Sequence, residues 1–246
     1  LIEELEALSL RAWPPSEARP LDGWVLCRGG ITRRTNSVQA WRAGTLDLDD
    51  RIERCERFYR ERGRPAVFKL TAASQPKELE ARLQERGYAL SSPTSVQTLS
   101  LAAAGARLAV DPEVGLAPEP GADWLAACFA GHGLAGAEGE ALGGILRRVP
   151  QPRAFAALRE GGTIAALGLG VRVEDRLMLC EVATASGQRR RGLARRLVGS
   201  LLAWGRDGGA RRSWLQVVVE NRPARALYAG FGFAEAYRYW YRARAA

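Results

Sequence analysis

The chain has 246 residues, with 36 Lys and Arg against 27 Asp and Glu and a formal net charge of +9. A hydrophobic fraction of 47% with seven Trp is ample for a packed core, and the length fits one large domain or two small ones. No apolar run reaches the ~18 residues of a membrane-spanning helix, so no membrane partner is expected.

The first ten residues are acidic and amphipathic, unlike a signal or transit peptide. Cys27, Cys55, Cys128 and Cys180 are scattered, with no zinc-ligand spacing. They read as free thiols of a cytoplasmic protein, and no metal is expected. Lysine occurs only at Lys69 and Lys77, so the positive charge is carried by arginine. Such a field attracts a polyanionic cofactor. Nucleic acid is an unfavoured partner, because no zinc-finger, helix-turn-helix or RNP pattern accompanies the charge.

In chain order, residues 1 to about 20 predict a short amphipathic helix (Ile2, Leu5, Leu8) ended by Trp13-Pro14-Pro15. Gly23 to Arg28 reads as a strand, Gly29-Gly30 as a turn, and Thr32 to Trp41 as the returning strand of a hairpin. Asp47, Asp49 and Asp50 cap a helix whose buried face is Ile52, Cys55, Phe58 and Tyr59. A strand over Ala66 to Thr71 follows, then a helix with Pro76 near its first position, then a strand over Ser95 to Leu101. Residues 105–120 are rich in Ala, Gly and Pro and read as a linker between a first half, 1–104, and a second, 121–246.

The second half opens with helices near Ala122 to Ala130 and Glu138 to Arg148, separated by a glycine-rich loop holding His132. Strands are expected over Ala154 to Arg159, Ile164 to Val173 and from Leu177 onward. A further strand covers Ser213 to Val219, a helix follows Asn221-Arg222-Pro223, and an aromatic strand runs from Glu235 to Arg242. Each half closes with a helix, a Gly-Tyr or Gly-Phe stop and a strand, which suggests related halves.

The most informative stretch runs from Glu181 to Leu202. An apolar strand passes into Gln188-Arg189-Arg190-Arg191-Gly192-Leu193-Ala194, and a helix begins at once, with Leu193, Leu197, Leu201 and Trp204 on one face. The first amides of a helix lack intrahelical acceptors and its dipole is positive there. Strand, basic glycine turn and helix therefore make an anion site, and the chemistry predicts a phosphate or pyrophosphate ligand.

Arg189-x-x-Gly192-x-Ala194, with Asn221-x-x-Ala224-x-x-Leu227-Tyr228 and Gly232-Phe233 after it, resembles the acyl-CoA motifs of the GNAT superfamily of N-acetyltransferases. The resemblance covers roughly residues 115 to 246. Residues 1–104, with Asp22-Gly23-Trp24 and Thr32 to Val38, resemble the degenerate GNAT-like half of two-domain bacterial members. It implies an α/β fold, an α+β mixed sheet of the GNAT acyl-CoA N-acyltransferase type in tandem halves. It implies acetyl-CoA as co-substrate, an amine acceptor as partner, and a cytoplasmic enzyme for which a homodimer is open.

Carried over by residue, backbone amides of Arg189, Arg190, Arg191, Gly192, Leu193 and Ala194 would bind the pyrophosphate. Val182, Ala183 and Thr184 would offer backbone groups to pantetheine and the acetyl carbonyl, on a strand splayed from its neighbour. Asn221 would contact the pantetheine arm, and Tyr228 would protonate the leaving thiolate. Glu181, an acid in an apolar strand beside that thioester, is the candidate general base. A plainer reading stands beside each: Tyr228 as a core aromatic, Asn221 as an N-cap, and Glu181 as an edge carboxylate paired with Arg. His132, in its glycine-rich loop, either covers the acceptor site or is a surface histidine. Asn36 and Ser37 are either acceptor-cleft residues or ordinary hairpin polarity.

The expected function is transfer of acetyl from acetyl-CoA to a primary amine by direct attack in a ternary complex. The alternative is a CoA-binding, non-catalytic regulatory module.

Overall fold

The computed structural model describes residues 1–104 and 108–244. Two compact units emerge, one formed by Leu1–Ser95 with Tyr237–Ala246 and the other by Val96–Ala236.

In the first unit, α1 (Ile2–Ala12) buries Leu5, Leu8 and Ala12 on one stripe. It stops well short of residue 20. The segment after Pro14-Pro15 forms a strand instead, β1 (Glu17–Leu21), which pairs antiparallel with β2 (Trp24–Arg28). Leu21 faces Trp24 across a two-residue loop in which Asp22 has φ 44° and Gly23 φ 85°. Two positive φ angles in an Asp-Gly loop give the primed turn whose twist matches a hairpin. The expected return strand over Thr32 to Trp41 shrinks to β3 (Val38–Gln39), preceded by a 3-10 turn at Arg33–Thr35.

Next, α2 (Leu48–Arg60) is capped by Asp47, whose carboxylate accepts from the amides of Asp49 and Asp50. Then come β4 (Val67–Thr71), parallel to β3, and α3 (Leu79–Glu85). Pro76 lies ahead of α3 rather than at its first position, since the helix begins only at Leu79. The next strand, β5 (Ala89–Ser100), starts six positions before the expected Ser95. The unit's core gathers Trp24, Phe68 and Tyr88, with ring centroids 6.0 Å and 5.4 Å apart in edge-on pairs. Burying each such side chain contributes roughly 1.5–3 kcal/mol.

The second unit begins within β5. It contains α4 (Leu101–Ala104), β6 (Val114–Ala117), α5 (Ala122–His132), α6 (Gly136–Arg148), β7 (Arg153–Glu160), β8 (Thr163–Val173) and β9 (Arg176–Thr184). After these come α7 (Leu193–Asp207), β10 (Arg212–Val218), α8 (Arg222–Ala229) and the start of β11 (Ala234–Ala243). The stretch expected to be a linker thus carries β6, and its residues 105–107 lie outside the described residues.

Strands run in the order β10-β9-β8-β7-β6. All neighbours are antiparallel except β9 and β10, which α7 joins as a parallel crossover. Leu193, Leu197 and Leu201 are buried on the inner face of α7, as their spacing predicts. Two glycines on β8 let the helix come close. A Cβ at Gly168 would sit 2.7 Å from Leu197 Cδ2, and one at Gly170 would sit 3.1 Å from Leu201 Cδ2.

From Tyr237 on, β11 belongs to the first unit, where it pairs antiparallel with β4, Tyr239 facing Thr71 and Ala243 facing Val67. A buried ion pair forms there. Lys69 Nζ donates to Glu6 Oε2, Tyr237 Oη donates to Glu6 Oε1 at 2.7 Å, and Nζ lies 4.0 Å from the centre of the Tyr239 ring.

Candidate functional site

The second unit concentrates its unusual backbone where β9 ends. On β8 and β9 the register pairs Leu167 with Ala183 but Leu169 with Cys180. Glu181 and Val182 therefore stand opposite the single residue Gly168, which is a β-bulge. Glu181 takes φ 53°, a left-handed conformation that a non-glycine residue adopts only when the surroundings impose it. On the other side of β9, the parallel ladder to β10 runs from Arg176–Arg212 to Leu179–Leu215. The pairing ends there, although β9 continues to Thr184 and β10 to Val218. The two strands part at the bulge, so Val182, Ala183 and Thr184 keep β8 as a neighbour and turn their other edge to the gap.

A single 3-10 turn, Ser186–Gln188, then leads into the basic segment. Arg190 has φ 62° and Gly192 φ 79°. Gly192 is the N-cap of α7 and brings no side chain to satisfy the first amides. The first helical bond is from Arg196 N to Gly192 O at 3.1 Å, so the amides of Leu193, Ala194 and Arg195 are free of intrahelical acceptors. A Cβ on Gly192 would meet nothing within 4 Å, which leaves the approach to those amides open. Arg189, Arg190 and Arg191 are exposed; Arg191 donates to Glu160 and to Gln188.

Asn221 caps α8, its Oδ1 accepting from Ala224 N at 3.2 Å. Tyr228 lies in the last turn of the same helix, 7% exposed, with its ring 5.8 Å from that of Phe233. Burial, with a smaller contribution from the Cys180 thiol, pushes its phenol up to about 12. The hydroxyl therefore keeps its proton across the neutral range.

Sequence reading missed the partner of Glu181. His132 is not in a loop. It is the last residue of α5, which Gly133 ends in the left-handed conformation, φ 67°. The indole of Trp124 anchors this helix by donating to Ala156 O at 2.9 Å and by packing edge-on to Phe155. So held, α5 aims Cys128 and His132, one turn apart, at the bulge. His132 Nε2 lies 2.6 Å from Glu181 Oε2, and Cys128 Sγ donates to the same oxygen at 3.8 Å. The hydrogen bond to Glu181, helped by that charge, raises the imidazole above its ordinary value against the opposing effect of burial. Burial and the Glu181 charge push the Cys128 thiol up. A Cys and a His four apart, ahead of a helix-ending Gly, was the signal available in the sequence.

Among the described residues, Cys128, His132 and Glu181 are the one group whose ligand atoms could hold a metal ion, all three atoms lying within 4.8 Å of one another. Asn36 and Ser37 are used locally in the first unit. Asn36 accepts from Gly29 N at 3.0 Å and donates to Gly30 O and Thr32 O, and Ser37 accepts from Gln39.

A family model described as "Probable histone acetyltransferase Rv0428c C-terminal" matches residues 1–242. The chain is 26% identical over 248 residues to an uncharacterized N-acetyltransferase, YobR, of Bacillus subtilis, covering 98% of both chains. Among solved structures it is similar to a GCN5-related N-acetyltransferase from Kribbella flavida, with TM-score 0.70, 16% identity, and 99% and 95% of the two chains covered. It is also similar to a tandem GNAT protein from the clavulanic acid biosynthesis pathway, with TM-score 0.58, 15% identity, and 80% and 70% covered.

Proposed function

The chain belongs to the Rv0428c C-terminal family of GNAT-type N-acetyltransferases, and from that membership we propose that it moves acetyl from acetyl-CoA to a primary amine by direct attack in a ternary complex. The observation that carries this reading is the parting of β9 from β10 beside the bulge, next to a basic glycine turn that feeds a helix N-terminus. That arrangement offers a slot for an extended thioester and an amide nest for its diphosphate end. We place the transfer machinery in residues 121–246, with 105–120 as the connection and 1–104 as a degenerate companion half.

Amides of Arg189 to Ala194 hold the pyrophosphate, and Val182, Ala183 and Thr184 align the pantetheine and carbonyl with backbone groups. Asn221 adds a polar contact to the arm while it caps α8. A backbone N–H at Val182 polarises the thioester carbonyl and stabilises the oxyanion that develops there. The acceptor arrives as an ammonium and passes a proton to Glu181, with His132 sharing it toward solvent. The neutral nitrogen then attacks the carbonyl carbon. The C–N bond forms, the C–S bond breaks, the thiolate takes the Tyr228 proton, and the second proton shed by the acylated nitrogen returns through solvent to the Tyr228 oxygen. No protein nucleophile is needed, because holding amine and thioester together supplies much of the rate.

Calorimetric titration with acetyl-CoA tests the cofactor half of this reading; absence of binding at high micromolar concentration removes it. Thiol release across small amines and a lysine peptide tests the acceptor half. Binding without release would establish the non-catalytic alternative. Replacing Tyr228→Phe is expected to lower kcat by about a hundredfold with little change in acetyl-CoA affinity; an unchanged kcat takes the acid role from it.

A further inference from the structure

We propose that Cys128, His132 and Glu181 form a binding site for a thiophilic divalent cation, Zn2+ by the chemistry of its donors. Zinc takes thiolate, imidazole and carboxylate together, whereas calcium and magnesium select oxygen and would leave the sulfur unused. The donor atoms are already gathered, with Sγ to Oε2 at 3.8 Å, Nε2 to Oε2 at 2.6 Å and all within 4.8 Å. Tetrahedral bonds of zinc length put neighbouring ligand atoms roughly 3.3–3.8 Å apart. Closing on an ion thus asks the His132–Glu181 contact to widen by about one ångström. The His132 side chain, 47% exposed at the end of its helix, has room to do so, while Glu181 is 9% exposed and Cys128 is 1% exposed.

Two features separate this group from a chance cluster of acids. Cys128 and His132 sit four apart on one face of a helix that Trp124 and Phe155 hold in place. The carboxylate comes from a strand residue fixed at φ 53° by a bulge. Three protein ligands leave a fourth position open, the pattern of an exchangeable site rather than a structural one. On binding, the Cys128 thiol loses its proton to solvent as the S–Zn bond forms, and the His132–Glu181 hydrogen bond is exchanged for two bonds to the metal. Nothing in the acetyl transfer uses Cys128. The consequence that Zn2+ blocks turnover, by occupying Glu181, rests on the reading of Glu181 as the base; the binding does not.

The protein freed of metal by chelation is titrated with Co2+. Expected is a near-ultraviolet sulfur-to-cobalt charge-transfer band that saturates at one equivalent and is bleached by Zn2+. Cys128→Ser should abolish it, and His132→Gln, a change at an accessible helix end, should weaken Co2+ binding by more than about tenfold. No band at one equivalent, or a band of full size in Cys128→Ser, overturns the site. In the acetylation assay, Cys128→Ser, compared with its own metal-free rate, should resist Zn2+ at least tenfold better than the wild type does. Loss of the band in Cys128→Ser together with full Zn2+ sensitivity would overturn inhibition through this site. A clean band without inhibition would support the site and count against Glu181 as the base.

Discussion

Each unit of this protein places a carboxylate against a basic side chain, and the two pairs are built in opposite ways. In the first unit Glu6 and Lys69 are each 2% exposed along the side chain; Tyr237 serves the second carboxylate oxygen and the Tyr239 ring faces the ammonium. In the second, Glu181 is also largely withdrawn, at 9%, but its partner His132 reaches solvent at 47%. A pair closed on every side holds a structure together, because any proton exchange would strand a charge in the interior. A pair with one member open to water can gain and lose a proton without disturbing its neighbours.

The largest effect expected from this contrast lies in the closed pair. Lys69→Met should destabilise the protein by about 3–5 kcal/mol, since it leaves Glu6 buried without its cation. Urea unfolding measures it, and a loss below about 1 kcal/mol would show that the pair is not closed in solution. Glu181→Gln should do the reverse. Its kcat is expected to fall by about 10²–10³, while unfolding shifts by less than about 1 kcal/mol. A stability loss as large as that of Lys69→Met would make the two pairs alike and end the comparison.

Gly192→Ala comes next. The left-handed φ of that residue costs a side chain about 1–2 kcal/mol, spent either in stability or in acetyl-CoA affinity. Calorimetry beside a thermal melt tells which, and a fully silent change would argue that the turn is plastic.

The smallest effect concerns Asp22, a half-buried carboxylate of the first unit with a structural role. It accepts from the amides of Thr45 and Leu46 and lies 3.6 Å from Arg51, and those amides above all hold it below its ordinary value of 3.8. A lowered value in the folded state means that the contribution is complete above the unfolded value and is lost as pH falls through the folded one. The stability gap between wild type and Asp22→Asn should therefore be constant near neutrality and shrink below about pH 4. A gap that widens on acidification would reverse the assignment.

Much of the fold could be read in the residues. The stripe on α7, the Asp47 cap and the succession of strands and helices in the second unit follow from local periodicity and capping chemistry. Elements that depend on distant partners could not. β1 has the sequence Glu-Ala-Arg-Pro-Leu, with no apolar alternation, because it is a mostly exposed strand whose Pro20 needs no pairing on its free edge. The early part of β5 hides behind Ser91, Ser92 and Pro93 in the same way. The Asp22-Gly23 turn was available as a hairpin signal and would have located β1.

At the site, the basic turn and the Asn221 helix were legible, since both are local motifs. The Glu181–His132 contact was not. It depends on how α5 is pinned by Trp124 to a strand some thirty residues further along. The bulge was equally hidden, because it is a mismatch in count between two strands and belongs to neither alone.

That mismatch has a consequence for how β9 can vary. A strand shows its side chains to alternate faces, but one supernumerary residue makes Cys180 and Ala183, three positions apart, share a face as Leu167 and Leu169 do opposite them. The bulge is thus a change of parity. Everything after it is read out of phase with everything before it. Removing a single residue between Cys180 and Ala183 would turn the end of the strand inside out, exchanging the side that meets the helices of one layer for the side that meets the other. Substitution can tune this stretch, but its length is fixed as firmly as any residue in it.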